Sequence, residues 1–290
     1  MRTGLKGLRA MAGAADTAHA QMFRLAAAVL VLVALAQGAC RRRPPVPQVA
    51  VMAGGMEMVL VPAGRLEIYG DSGGVRRRVV EVAPFWIDRH EVTQSDYEAL
   101  MGANPSRFKN PRAPVERVSW RSAVRYCNAR SLREGLTPCY NLETFECNYD
   151  ADGYRLPTEV EWEYACRAGS MRAFCFGDSE DELRQYAWFR DNSSGRTHPV
   201  GQLRANTWGI CDMHGNVAEW CNDRYTAGDD AAGASPGAPA ADRRVVRGGS
   251  FAHAAAGCRS AARDGEDAGF ADACLGSEMY GFRCVRKAQK

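Results

Sequence analysis

The chain carries almost no net charge, +3 over 290 residues. That is too slight to point to nucleic acid, and no basic face interleaved with aromatics is visible. No apolar run reaches the roughly 18 residues that a membrane-crossing helix needs. Internal repeats are missing, which sets aside solenoids and propellers. Cys-x-x-Cys is missing as well, despite eleven cysteines, and this weakens a cysteine-based metal site. What remains is a globular composition, 46% hydrophobic and 24% charged. Past the leader, roughly 250 residues suit one large domain or two small ones.

The leader is the first feature present. Leu25 to Ala36 is a continuous apolar run behind Arg24, the length of a signal-peptide core rather than a bilayer span. Met22 stands just upstream, and a start there leaves a signal of ordinary length. Cys40 closes the context Gln37-Gly38-Ala39-Cys40, where small residues before a cysteine suggest cleavage and lipid attachment to Cys40. Gln37 stands where such sites usually carry Leu, and Ala34-Leu35-Ala36 offers ordinary Ala-x-Ala cleavage instead. The expected division is a signal segment over 1–40, a flexible Arg-, Pro- and Ala-rich tether over 41–55, and one folded domain over 56–287. Either cleavage exports the domain, anchored by lipid in the bacterial periplasm or outer membrane, or secreted. In an oxidising compartment the ten cysteines beyond Cys40 read as a disulfide framework.

Helix signals are clear in the first two thirds. Thr93 caps a helix over Gln94–Met101 that Gly102 stops, and Ser119 caps another carrying Trp120, Val124 and Cys127 on one face. Thr158-x-x-Glu161 is a capping box ahead of Trp162, Ala165 and Cys166, with Gly169 as the stop. Val59 to Phe85 suggests strands with turns at Gly70 to Gly74. The stretch 139–152 reads as an inserted loop, with Cys139 and Cys147 able to staple it. Residues 226–242 are low-complexity and read as a surface loop. Asn148-x-Asp150-x-Asp152-Gly153-x5-Glu159 has EF-hand spacing. The Thr158 helix starts inside it, so solvated carboxylates in a turn suffice. An α+β domain rich in irregular loops is expected.

Four segments agree in order: Arg155-Leu-Pro-Thr-Glu-Val-Glu-Trp162, Trp208-Gly-Ile-Cys-Asp-Met-His-Gly-Asn-Val-Ala-Glu-Trp220, Arg247-Gly-Gly-Ser-Phe251 and Gly281-Phe-Arg-Cys-Val-Arg286. Met58-Val-Leu-Val-Pro-Ala-Gly64, Glu91-Val-Thr-Gln94 and Thr197-His-Pro-Val-Gly201 fit beside them. Together they resemble the formylglycine-generating enzyme, or sulfatase-modifying-factor, family over about residues 56 to 287. The resemblance implies a C-type-lectin-like fold stapled by disulfides. It implies a Cys127–Cys284 bond, worth about 4–5 kcal/mol by loop-closure entropy, and Cys166–Cys258 lies near another bond made in the family. It also implies structural calcium at Asp212, Met213, Gly215, Val217 and Glu219, through carboxylate and carbonyl oxygens. The family's other calcium site is not expected, because Trp188 stands near its Asn position.

Active members hold Cu(I) between two cysteines that follow the Gly-Gly-Ser, and soft Cu(I) favours thiolates. Counting from Ser250 without gaps, the first position holds His253 and the second Cys258. Anchoring on Ala261-Ala262-Arg263 instead requires a deletion, and Cys258 then matches neither. Copper is therefore not expected. Ser250, His253 and Cys258 remain the candidate catalytic residues. No nucleophile elbow surrounds Ser250 to support a hydrolase with His214 and Asp212. Two readings stand. One is a calcium-stabilised binding or assembly lipoprotein that engages a protein or peptide. The other is a formylglycine-generating-type oxidoreductase acting on a protein cysteine.

Overall fold

The computed structural model describes residues 48–68, 78–225, 242–269 and 277–288. The signal segment, Cys40, most of the tether, the turn at 70–74, Cys274 and all of the low-complexity loop except Asp242 lie outside them.

Among the described residues, three α-helices form where their caps demand. α1 spans Gln94–Met101, with Thr93 Oγ1 accepting from the Asp96 N–H and Gly102 ending it at φ +77°. α2 spans Trp120–Arg133, capped by Ser119. α3 spans Glu159–Arg167 with both halves of its capping box formed: Thr158 Oγ1 accepts from Glu161 N–H, and Glu161 Oε2 from Thr158 N–H. Its stop falls one residue earlier than the glycine suggests. Ala168 takes the left-handed conformation (φ +45°), and its carbonyl accepts from Thr207 Oγ1 at 2.7 Å. A partner for that terminal carbonyl offsets part of the strain of a left-handed alanine.

Eleven short strands lie among the described residues. β1 (Val49–Val51), β2 (Glu57–Val61), β5 (Phe85–Asp88), β11 (Val285–Lys287) and β6 (Tyr154–Arg155) form a five-stranded antiparallel sheet in the order β1-β2-β5-β11-β6. β3 (Gly64–Ile68) and β4 (Arg78–Val82) pair as a hairpin. The second sheet runs β10-β7-β8-β9, from β7 (Ala218–Arg224), β8 (Arg243–Arg247), β9 (Arg263–Asp267) and β10 (Tyr280–Gly281). The tether expected over 41–55 is therefore shorter: Val49–Val51 pairs with Val59–Glu57, turned by Gly55 at φ +84°. Pairing to β2 occupies its backbone groups although Val49 and Val51 stay exposed, and that edge position made the strand hard to read.

Alternation along β2 divides the interior. Met58 faces a core with Trp120, Tyr126, Trp220 and Phe282, whereas Val59 and Val61 face one with Ile87, Trp162 and Ala165. α2 thus packs on one side of the first sheet and α3 on the other. Buried Arg130 of α2 is bidentate to Asp88 at 2.8 and 2.9 Å, and Asp88 also accepts from Cys284 N–H. In the 139–152 loop, Asn148 Oδ1 accepts from Asp150 N–H and Asp152 Oδ1 from Thr137 N–H, so the EF-hand-spaced groups brace turns. No helix of the described residues is long and apolar enough to cross a membrane.

Candidate functional site

β8 ends in Arg247, and its buried guanidinium gathers the surroundings. It donates to the carbonyls of Ser260, Ala261 and Ala262 at 2.8–3.0 Å and pairs with Glu163 of α3. Gly248 and Gly249 then turn the chain at φ +89° and +68°. A Cβ on Gly249 would meet the Gly257 carbonyl at 2.6 Å and Cys258 Sγ at 2.9 Å, so glycine is required for the two segments to approach.

The loop sets the state of His253. Nδ1 accepts from both the Ser250 N–H (3.0 Å) and the Ser250 hydroxyl (2.7 Å). Two donors aimed at one ring nitrogen fix the tautomer with hydrogen on Nε2, and burial lowers the pKa further from the usual imidazole value. The ring lies over Gly257, next to Cys258. Cys258 is buried, and burial pushes its thiol up to about 12. Cys166 is held the same way, also at about 12. Cu(I) ligation calls for thiolate; here the first position is a neutral imidazole with one nitrogen occupied and the second a protonated thiol. The donor set does not fit copper.

His214 stands between the two cysteines. Its Nδ1–H donates to the Cys258 carbonyl at 2.7 Å, its Nε2 accepts from Cys175 N–H at 3.2 Å, and the ring touches Cys166 Sγ at 3.8–3.9 Å. Both nitrogens serve the backbone, so this ring has no lone pair left for general-base work on Ser250. All nine described cysteines are free thiols. Cys127 and Cys284 stand with Sγ atoms 3.7 Å apart in the core, whereas Cys147 pairs with Tyr140, the residue after Cys139, in an isolated antiparallel bridge.

Among the residues expected to hold calcium, Glu219 already has protein partners. Glu219 Oε1 accepts from Arg283 Nη2 (2.6 Å), and its Oε2 from Arg283 Nε (2.7 Å) and Trp162 Nε1 (2.8 Å). Both carboxylate oxygens accept from protein donors, and Glu219 forms a buried salt bridge with Arg283. The Met213 carbonyl lies 3.7 Å from the Cys166 thiol that donates to it. Gly215, at φ +80°, is needed for packing: a Cβ there would fall 2.3 Å from the Trp188 carbonyl oxygen. Val217 is fully buried. Asp212 keeps one oxygen on Gly201 N–H at 2.6 Å, while its Oδ1 is buried without a partner.

A second carboxyl joins it that sequence reading quoted without assigning a role. Glu91, at 0% exposure, has no partner for either carboxyl oxygen. Burial first, then the nearby Asp212, raises its pKa well above the usual carboxylate range, with Arg283 opposing. Three buried carboxyls thus share one guanidinium, and such an excess is neutralised by a proton or by a cation. The unpartnered carboxyl oxygens are Asp212 Oδ1 and both of Glu91.

A family model, the sulfatase-modifying factor enzyme 1-like domain, matches residues 45–288. The chaperone protein LppX of Paenibacillus barcinonensis is 38% identical over 57% of this chain and 70% of its own length. Two bovine relatives carry opposite descriptions. The formylglycine-generating enzyme is 29% identical, matching 73% of this chain but 48% of that protein, so the chain spans about half of it. The inactive C-alpha-formylglycine-generating enzyme 2 is 28% identical over 80% of this chain and 89% of its length. Among solved structures, Treponema denticola variable protein 1 superposes with a TM-score of 0.71 at 30% identity, covering 84% of this chain and all of that one. In sequence and in its C-type-lectin-like α+β fold, the chain belongs to the sulfatase-modifying factor, or formylglycine-generating enzyme, family.

Proposed function

We propose that this is an exported binding or assembly module of the family that does not make formylglycine. The observation that carries the reading is the donor set after Gly248-Gly249: a neutral His253 bonded to Ser250, and a Cys258 whose buried thiol is pushed up to about 12. Two thiolates are what Cu(I) chemistry calls for, and relatives described as a chaperone and as an inactive enzyme support a role in binding. The test is a Cys-x-Pro-x-Arg peptide incubated with copper and O₂ beside an active family member. No loss of peptide thiol is expected. Copper-dependent thiol loss with O₂ uptake would establish the oxidoreductase reading instead.

Calcium is the second part of the proposal, held at Asp212 with Glu91 beside it; the unpartnered oxygens support this. Bound there, the ion supplies charge balance rather than chemistry. Attachment is the third part. Cys40→Ser is expected to move the protein from membranes to the soluble fraction, and a mature chain beginning at Gln37 would overturn the lipid anchor.

A further inference from the structure

Phe108 stands edge-on to Phe251, ring centroids 5.6 Å apart, two residues before His253. From there a cleft of about 370 Å³ opens, lined by Phe108, Lys109, Asn110, Arg196, Thr197 and His198, with Pro199 at its end. No carboxylate is among these residues. Arg107 and Arg190 nearby are paired with Glu278 and Asp191. Lys109 and Arg196 make no ion pair among the described residues, and Lys109 Nζ donates only to the Asn104 carbonyl. Arg112, on the same loop, is also without an acidic partner there. Thr197 is 6% exposed, and its Oγ1 is buried with no hydrogen-bond partner.

Both walls are held before anything binds. Buried Gln94 donates to the Phe108 carbonyl at 2.9 Å and accepts from Asn110 N–H at 3.0 Å, while Glu116 Oε1 accepts from Phe108 N–H at 2.8 Å. Opposite, Asn216 Oδ1 accepts from His198 N–H at 3.0 Å, and Trp188 stacks on the imidazole. Walls fixed in advance reduce the ordering cost of binding.

We propose that this cleft docks an acidic peptide segment. Its Asp or Glu carboxylates meet Lys109 and Arg196, and an adjoining apolar residue rests on Phe108 and Pro199. Two unpaired cations beside an aromatic ring suit a short peptide; a phosphate backbone is tracked by longer runs of positive charge. The inference rests on the binding role proposed above.

The test is fluorescence anisotropy with labelled Gly-Glu-Asp-Tyr-Glu-Asp-Gly, its lysine counterpart and a short single-stranded DNA. The acidic peptide is expected to bind, more weakly as salt rises, and the lysine peptide is not. The double variant Lys109→Glu/Arg196→Glu should raise the Kd at least tenfold with an unchanged melting temperature. Arg78→Glu, on the exposed edge of β4, should leave binding unaltered. No acidic-peptide binding, binding indifferent to the double reversal, or tighter binding of the DNA would each overturn the proposal. The two readings fail separately: copper-dependent thiol loss overturns the function above, whereas these outcomes overturn the cleft alone.

Discussion

At the scale of single residues, the decisive groups are buried charges whose partners lie far away in sequence. Glu219 and Arg283 are 64 residues apart and form a bidentate pair that also takes the Trp162 indole. Arg283→Met should cost roughly 3–5 kcal/mol in urea unfolding, because it strands a buried carboxylate; a loss under about 1 kcal/mol would contradict the pairing. Glu116 offers a pH test. Burial raises its carboxyl from 4.5 to about 7, so the folded state holds this proton more tightly than the unfolded chain. Its contribution is full below pH 4.5 and is lost as pH rises towards 7. Glu116→Gln should flatten stability between pH 5 and 7 relative to wild type, measured as urea midpoints. None of these pairings could be read from the chain. Glu219 reads as a cation ligand from the resemblance and from its place closing a glycine-bearing loop, and nothing in the local sequence announces its pairing with Arg283. Glu91 was visible as a motif letter, yet its want of partners is a property of packing. Counting from Ser250 without gaps is enough to set His253 and Cys258 at the two positions that the resemblance assigns to copper, whereas anchoring on Ala261-Ala262-Arg263 leaves Cys258 at neither.

At the scale of elements, local signals carried well wherever the chain's own neighbours decide the outcome. All three helices begin at the Thr or Ser that caps them. Thr158→Ala removes one half of the α3 box and should lower stability by about 1 kcal/mol, seen as a lower urea midpoint; an unchanged midpoint would mean Glu161 holds the turn unaided. Strands were harder to place, because β6 and β10 are two residues long and are defined by the partners they meet. The Gly249 turn belongs between these cases. Gly249→Ala should be far more damaging than an exposed glycine substitution, since the new methyl meets the Gly257 backbone in a left-handed turn. Thermal melting of Gly249→Ala beside Gly135→Ala, whose added Cβ meets nothing within 4 Å, separates that contact from strain alone.

At the scale of the whole molecule, two predictions concern what lies between elements. Calcium should raise the melting temperature of wild type and chelator should lower it, because an ion that binds only the folded state stabilises by mass action. Asp212→Ala should melt alike in both buffers, and identical wild-type curves would remove calcium from the reading. Mild oxidation should consume the thiols of Cys127 and Cys284 together, as their Sγ atoms already stand 3.7 Å apart; mass mapping of the resulting dipeptide checks it. The place of β11 in the first sheet has a further consequence. This strand follows β5 and β6 in the chain yet lies between them rather than at an edge. Both neighbours precede it in the chain, so β1, β2 and β5 can pair first while β6 has no partner in the sheet until Val285–Lys287 is made. The sheet therefore closes only when β11 slots between β5 and β6, and a stop codon a few residues before Val285 should leave β6 unpaired and abolish cooperative urea unfolding.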